Sequence, residues 1–325
     1  MSGFTTNTID HLTRAQLYSS NLKEFFEDEL MGMRYVRQIT DFPDGDLLNI
    51  PSIGQMEAQD YAEDQAIEYT AMDTGNFTFQ ITEYKASGTY ITDKFRQDSY
   101  LSDQVAGTFV QKMNRALMVQ LEHDILDIGP NGQTASDPNT WNDAAHRFVA
   151  GGTGETMTIE DFAKARYALQ KAYVPMTNLI AIVDPSVEYS IATQPNVVNL
   201  LSPQPTWEPV VHEGISTGMK FRFSLMGWDI YTSDHLKKNT SSETITPVGG
   251  SAGTAAAGVN NIFFSAAGGD SMPFIGQFRQ PPRVESKRNV DRQRDEFVTT
   301  MRYGLGFYRP ENFVCVLTDT DQVYA

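Results

Sequence analysis

Residues 98–128, "DSYLSDQVAGTFVQKMNRALMVQLEHDILDI", carry an apolar side chain at nearly every third or fourth position: Leu101, Val105, Phe109, Met113, Leu117, Leu121, Ile125 and Ile128. That period predicts one amphipathic helix. At 1.5 Å per residue it would run for roughly 45 Å. The tetrapeptide "GPNG" that follows predicts its end. A rod of this length is a spine, and the other elements must pack along its apolar stripe to bury it.

The flanking segments supply short strands and further helices. "LLNIPSI" reads as a strand whose Pro51 belongs at an edge or strand end, because proline cannot donate to the ladder. "NFTFQI" alternates Phe77, Phe79 and Ile81 with polar residues, the period of a half-buried strand. "GTYITD" reads as a continuation of the same ribbon. Such a ribbon is marginal alone and needs something to pack on. Ahead of it, Leu17, Leu22, Phe25, Phe26 and Leu30 fall near helical spacing, before the turn signal "DFPDGD".

Beyond the spine, a loop-rich section runs from about 129 to 157. Thr158 and Asp161 then approximate a capping box. Ile159, Phe162, Ala163, Ala165, Leu169 and Tyr173 fit the inner face of a helix ending ahead of Pro175. "LIAIV" is a continuous apolar run of the buried-strand kind, and Asp184 with Pro185 opens a short helix after it. "MKFRFSLMGWDIYTSD", "VNNIFFSA", "EFVTTMRYGLGFY" and "NFVCVLTD" read as strands. "TPVGGSAGTAAAG", residues 246–258, reads as a low-complexity, mobile loop. The fold class is α+β.

Charge is distributed unevenly. The formal net charge is −16, which argues against nucleic-acid binding through a broad basic surface. From Gln38 to Tyr84 there is no basic residue, and Asp41, Asp44, Asp46, Glu57, Asp60, Glu63, Asp64, Glu68, Asp73 and Glu83 stand uncompensated. Charge concentrated this way suggests one projecting, solvated or partner-facing element between the two strands. Asp60, Asp64 and Glu68 fall at i, i+4 and i+8, which on a helix would stack like charges. A loop or weak helix is expected there. The opposite sign collects in "RQPPRVESKRNVDRQRDE", residues 279–296, with Arg279, Arg283, Lys287, Arg288, Arg292 and Arg294. Four acids interleave, so its net charge is 6 − 4 = +2. It reads as a mixed-charge surface, a nucleic-acid contact, or the counterpart of the acidic loop of a neighbouring copy.

The usual chemical motifs are weak. "GGTGET" lacks the lysine a phosphate-binding loop requires. "GISTG" matches G-x-S-x-G around Ser216, but a strand-like run follows where a nucleophile elbow needs a helix. His11, His123, His146, His212 and His235 share no ligand spacing. The carboxylates of Asp60, Asp64 and Glu68 suit a hard cation, without the glycine-punctuated loop of a calcium site. Cys315, the single cysteine, sits in an apolar run and reads as core. No apolar run approaches the ~18 residues that span a bilayer, and the start lacks the pattern of a signal peptide. No catalytic residue, metal or cofactor is expected.

The order of elements resembles the major capsid proteins of tailed bacteriophages, which have the Hong Kong 97 type fold. The likeness is carried by "NIPSIGQMEAQDYAEDQAI", "ITEYKASGTYITD", the spine helix, "LIAIVDPSVEYSI", "GWDIYTSDHL" and "YGLGFYRPENFVCVLTD". It implies an amino-terminal arm at 1–45, an extended β-loop at 46–97, and a peripheral domain with the spine helix at 98–174. An axial domain at 175–270 and a return to the peripheral domain at 271–325 complete it. The resemblance implies a subunit that self-assembles into hexamers and pentamers of an icosahedral capsid around double-stranded DNA, without catalysis or sequence-specific DNA binding.

It further implies assembly in the host cytoplasm with a separate scaffolding protein, a portal and a possible decoration protein, and no membrane. The extended loop would lie across a neighbouring subunit. Intersubunit contact is then expected between Glu57, Asp60, Glu63, Asp64 and Glu68 and the basic residues of 279–296. Lys85 and Lys94 lie in the loop region, but no partner asparagine for a covalent cross-link can be identified. The alternatives are an encapsulin-like compartment shell, a serine hydrolase at Ser216 and a nucleic-acid-binding module.

Overall fold

The computed structural model describes residues 30–40, 47–54, 58, 60, 63–64, 66, 74–98, 102–133, 140–193, 221–239, 243–245, 253–255 and 258–319. The amphipathic segment expected at 14–31 therefore lies almost wholly outside the described residues. A single 3-10 turn at Gly32–Tyr35 leads into β1 (Val36–Gln38). β2 (Leu47–Ile53) and β3 (Thr74–Gln80) pair antiparallel as a two-stranded ribbon, from Leu47 opposite Gln80 to Ile53 opposite Thr74. Both strands of such a ribbon are edges, where Pro51 is tolerated.

β4 (Glu83–Thr92), which contains "GTYIT", does not extend that ribbon. It pairs with a strand near the chain's end, in a different sheet. The chain turns at Ile81 and Thr82, with Ile81 buried against Gly304. A Cβ on Gly304 would meet the Gln80 carbonyl oxygen and the Ile81 Cα at 2.5 and 2.9 Å, so only glycine permits this crossing.

The spine differs from expectation at its far end. On the near side α1 (Asp93–Asp98) and α2 (Ser102–Gly132) flank residues 99–101, which lie outside the described set. Leu101 and the side chain of Val105 lie outside it too. Met113, Leu117, Leu121 and Ile125 are buried, and Phe109 and Ile128 half-buried, along the expected stripe. "GPNG" does not stop the helix, which runs through Pro130 to Gly132. Buried Arg147 takes the free carbonyls of that last turn, donating from Nη1 to the Pro130 oxygen at 3.2 Å and to the Gln133 oxygen. The glycines serve packing instead. A Cβ on Gly129 would overlap the Phe313 ring, and one on Gly132 would lie 2.7 Å from Phe307 Cδ1.

After a small hairpin of β5 (Thr140–Trp141) and β6 (Ala144–Ala145) comes β7 (Arg147–Val149). α3 (Ile159–Lys171) opens as expected: the Thr158 backbone N–H and hydroxyl donate to the Asp161 carboxylate at 2.9 and 2.8 Å. Phe162, Ala165 and Leu169 are buried, but Tyr173 is 82% exposed. The helix ends at Lys171, and Tyr173, at φ 57°, turns outward while Val174 takes the buried position.

β8 (Leu179–Val183) is buried throughout, and Asp184 caps α4 (Pro185–Thr193) by accepting the Ser186 N–H at 2.9 Å. β9 (Phe221–Leu225) and β10 (Trp228–Thr232) form a hairpin. The segment expected as a loop at 246–258 holds strand instead where it is described. β11 (Glu243–Ile245) pairs with β12 (Gly253–Ala255), and Gly258 opens β13 (Gly258–Ser265). β14 (Phe274–Asn289) and β15 (Arg294–Phe307) make one long hairpin, and β16 (Val314–Asp319) follows.

The strands form a six-stranded sheet in the order β7-β16-β13-β8-β10-β9 and a four-stranded sheet in the order β1-β14-β15-β4. The six-stranded sheet thus draws strands from both sides of position 175. Its alternating side chains separate two cores. Ile180, Ile182, Ile262, Phe264, Cys315 and Leu317 face Leu117, Leu121 and Ile125 of α2. Ala181, Val183, Phe263, Val314 and Val316 face the helices α3 and α4 through Phe162, Leu169, Val187 and Ile191. Cys315 is buried in the core, as read from the sequence, and its thiol lies 3.4 Å from Asn260 Oδ1. A third, small core of Phe79, Ile81 and Ile275 roots the ribbon, with Phe77 and Tyr308 meeting edge to face at 5.2 Å.

Candidate functional site

Two features stand out from the packed body: the ribbon with its acidic connection, and the outer half of the β14–β15 hairpin. Among the described residues the ribbon strands pair only with each other, and Ile53, at the far end from the root, is 74% exposed. Beyond it, Asp60, Glu63 and Asp64 are exposed, with Glu63 and Asp64 in a turn where Asp64 has φ 70°. A turn at Glu63–Asp64 agrees with the like-charge argument against a stable helix. Glu57 and Glu68 lie outside the described residues, as does Ser216.

The basic segment is the distal part of the hairpin, with Gln293 and Val290 closing the turn between the strands. The sequence did not suggest a strand there, because Pro281, Pro282 and the run of charges interrupt the alternation. Arg279 is half-buried; Arg283, Lys287, Arg288 and Arg292 are exposed. Several of these cations meet carboxylates of their own chain. Arg288 reaches both oxygens of Asp93 on α1 at 2.5 and 2.6 Å, and Asp295 at 3.2 Å. Arg96 of α1 reaches Asp295 at 2.5 Å. This crossed arrangement clasps α1 to the hairpin. It holds Asp93 below the usual carboxylate range through the Arg288 hydrogen bond, and Asp295 likewise through Arg96 and then Arg288.

Arg294 pairs with Glu296 at 2.6 Å and lies over the Tyr90 ring at 4.4 Å. Its hydrogen bond holds Glu296 below the ordinary range. Arg283 Nε is 3.2 Å from Glu285. Lys287 stands opposite Glu296 in the ladder. Of the residues expected to meet between copies, the structure gathers the basic ones on one hairpin and leaves the described acidic ones on the separate ribbon connection.

The clasp residues Asp93, Arg96 and Asp295 were missed in the sequence, as was the outer face of the four-stranded sheet. On that face, turned away from α2, β4 presents Tyr84, Ala86, Gly88 and Tyr90, with Tyr84 63% and Tyr90 55% exposed. β15 aligns Arg302, Thr300, Val298 and Glu296 beside them. The alternation in "EYKASGTY" was the available signal. On the opposite face, Lys85 meets Glu83 at 2.7 Å and Asp124 of α2 at 3.5 Å, and its pKa is raised, chiefly by the Glu83 hydrogen bond. Burial, and then a hydrogen bond to Asp124, push the Tyr303 hydroxyl up.

Among the described residues no group of three or more His, Cys, Asp or Glu is placed to hold a metal ion, and no helix is long and apolar enough to cross a membrane.

The sequence model of the family described as phage capsid protein matches residues 76–316. Solved structures share the architecture over nearly the whole chain. The cyanophage Pam1 capsid asymmetric unit is 14% identical, with 99% of this chain and 100% of that one covered at a TM-score of 0.68. A chain of Mycobacterium phage Che8 is 15% identical, with 94% and 97% covered at a TM-score of 0.66. The capsid of cyanophage P-SCSP1u is 14% identical, with 97% and 96% covered at a TM-score of 0.65. No curated protein matches. The encapsulin-like, hydrolase and nucleic-acid-module alternatives are not favoured by these likenesses.

Proposed function

The chain belongs to the phage capsid protein family and is a structural subunit of a capsid, and from that premise we propose how its copies hold together. They join as hexamers and pentamers of an icosahedral shell around double-stranded DNA, with no catalytic role. In this reading residues 1–45 are the arm, 46–97 the extended loop, 98–174 with 271–325 the peripheral domain, and 175–270 the axial domain. A separate scaffolding protein, a portal and in some cases a decoration protein act with it, and assembly takes place in the host cytoplasm.

The observation that carries the intersubunit part is the ribbon. β2 and β3 pair with no other strand among the described residues, and a two-stranded ribbon is marginal in water. Its exposed far end and the acids beyond it gain order from a neighbouring copy. The complementary surface is the outer half of the β14–β15 hairpin, where Arg283, Lys287 and Arg292 are exposed at one end of the four-stranded sheet. Arg288 and Arg294, engaged within the chain, shape that surface. Repetition of such contacts by symmetry over the shell converts weak pairs into a stable particle. The net charge of −16 suits a container for DNA, because a lining that bound phosphates tightly would hinder packaging and release.

The test is a charge swap. Asp60→Lys with Asp64→Lys should block assembly while leaving the subunit folded. Adding Arg283→Glu and Lys287→Glu should restore it in part. Normal assembly of the first variant would overturn the pairing.

A further inference from the structure

We propose that β4 is an interface strand, whose free edge pairs antiparallel with β4 of a second copy about a two-fold axis at Ser87. Two four-stranded sheets then become one of eight strands. Backbone N–H and C=O groups along a sheet edge invite another strand, and folded chains guard such edges with proline, charge or a cover. The two edges of this sheet differ in that respect. β1 covers the start of β14, from Phe274 to Gly276, and Pro281, Pro282 and a row of charges guard the stretch beyond. β4 forms the other edge over ten residues and contains no proline. Its only charges, Glu83 and Lys85, are paired with each other at 2.7 Å. Among the described residues β15 is the one strand that pairs with it.

The alternation of the strand restricts what fits this edge. In an antiparallel ladder the outward backbone groups belong to every second residue. β4 can therefore pair with its own copy only about a residue, since only then do outward groups meet outward groups. A two-fold at Ser87, near the middle of the strand, sets Glu83–Ile91 against itself and keeps like faces together. On the outer face Tyr84 then meets the partner's Tyr90, and Ala86 meets the partner's Gly88.

The side chains suit that register. Tyr84 is 63% exposed and Tyr90 55%, and aromatic pairs across strands are among the stronger ones. Ala86, Ser87 and Gly88 between them leave the backbone accessible. The chain's own packing does not call for glycine at 88. A Cβ there would meet the Phe297 oxygen and Val298 Cγ2 at 3.5 Å, an ordinary contact. Glycine inside a strand weakens it and marks a place where another backbone comes close. No like charges face each other across the axis: Lys85 meets the partner's Thr89, and Glu83 meets the partner's Ile91. On β15, Arg302 stands beside Tyr84 and Glu296 beside Tyr90, so an antiparallel copy sets each end against one of opposite sign. This contact is separate from that of the ribbon with the hairpin, and it forms between two chains whether or not a shell closes.

Oxidative cross-linking of the full chain in solution tests it. Cys315 is the single native cysteine and is buried, so Ser87→Cys adds the one thiol outside the core. Facing Cα atoms of an antiparallel pair lie about 5 Å apart, within reach of a disulfide. Ser87→Cys should therefore give a disulfide-linked dimer as its main product. Thr89→Cys should give none, because its two copies stand about 14 Å apart in this register. Tyr84→Ala added to Ser87→Cys should slow the linking about tenfold. No dimer from Ser87→Cys, equal linking of Thr89→Cys, or an unchanged rate with Tyr84→Ala would overturn the pairing. Should Ser87→Cys not fold, a mixture of Ala86→Cys and Gly88→Cys chains decides. Linking of one to the other in preference to itself supports the pairing, and its absence refutes it.

Discussion

The Glu122 carboxylate accepts the backbone N–H of Gly32 at 2.7 Å, and a Cβ on residue 32 would lie 2.8 Å from the same Oε2. A second oxygen takes the Met31 N–H at 3.0 Å, and Glu122 is only 2% exposed. The spine helix thus uses one buried acid to hold the segment that enters β1, and a glycine makes the approach possible. Glu122→Ala would leave two buried donors unmet and should cost about 3 kcal/mol, with Glu122→Gln costing less because its single carbonyl still accepts. Urea unfolding of the unassembled subunit measures both. Equal stability of Glu122→Ala and the parent would remove the anchor.

The end of the spine makes a separate prediction. Gly129→Ala forces a methyl group into the Phe313 ring and should destabilise by about 2 kcal/mol. Phe313→Leu costs stability by itself but should make Gly129→Ala less harmful, a coupling that a double-mutant cycle reads directly. Additive effects would show that the two do not compete for the same space.

Arg147 explains why the helix continues past a proline. Arg147→Met keeps the bulk and removes the donors to Pro130 and Gln133, so the last turn should fray and the subunit lose about 2 kcal/mol. Exchange of the amides near the end of α2 would register the fraying. Unaltered protection there would mean that the guanidinium is not what holds the turn.

The clasp between α1 and the hairpin depends on pH with a definite sign. Asp93 and Asp295 have folded-state pKa values below their ordinary ones. Their contribution is therefore present above the ordinary carboxylate range and is lost as pH falls through the lowered values. Arg288→Gln should be less stable than the parent near neutrality, and the difference should vanish well below about pH 3. It should also shrink in high salt, since these side chains are partly exposed. A difference that persists in strong acid would assign the loss to packing.

Legibility in the sequence followed the strength of each periodic signal. The stripe from Met113 to Ile125, the run "LIAIV" and the Thr158–Asp161 cap were readable because local pattern and tertiary packing agree there. The reading failed where a distant partner decides. "GPNG" looks like a terminator until Arg147 supplies its donors, and Tyr173 fits the helical period until the helix stops short of it. β4 resembles a ribbon strand, yet its partner lies some two hundred residues further on, in β15. The long hairpin was hidden by Pro281, Pro282 and dense charge. The acidic connection was conspicuous by composition, but the surface we propose for it lies on another copy, which a single chain does not contain.

Electron microscopy of particles formed by the full chain, co-expressed with its neighbouring genes, tests the central claim most directly. Closed polyhedral shells are expected, with the ribbon of each subunit lying on the hairpin of another. A discrete small oligomer under every assembly condition would contradict it.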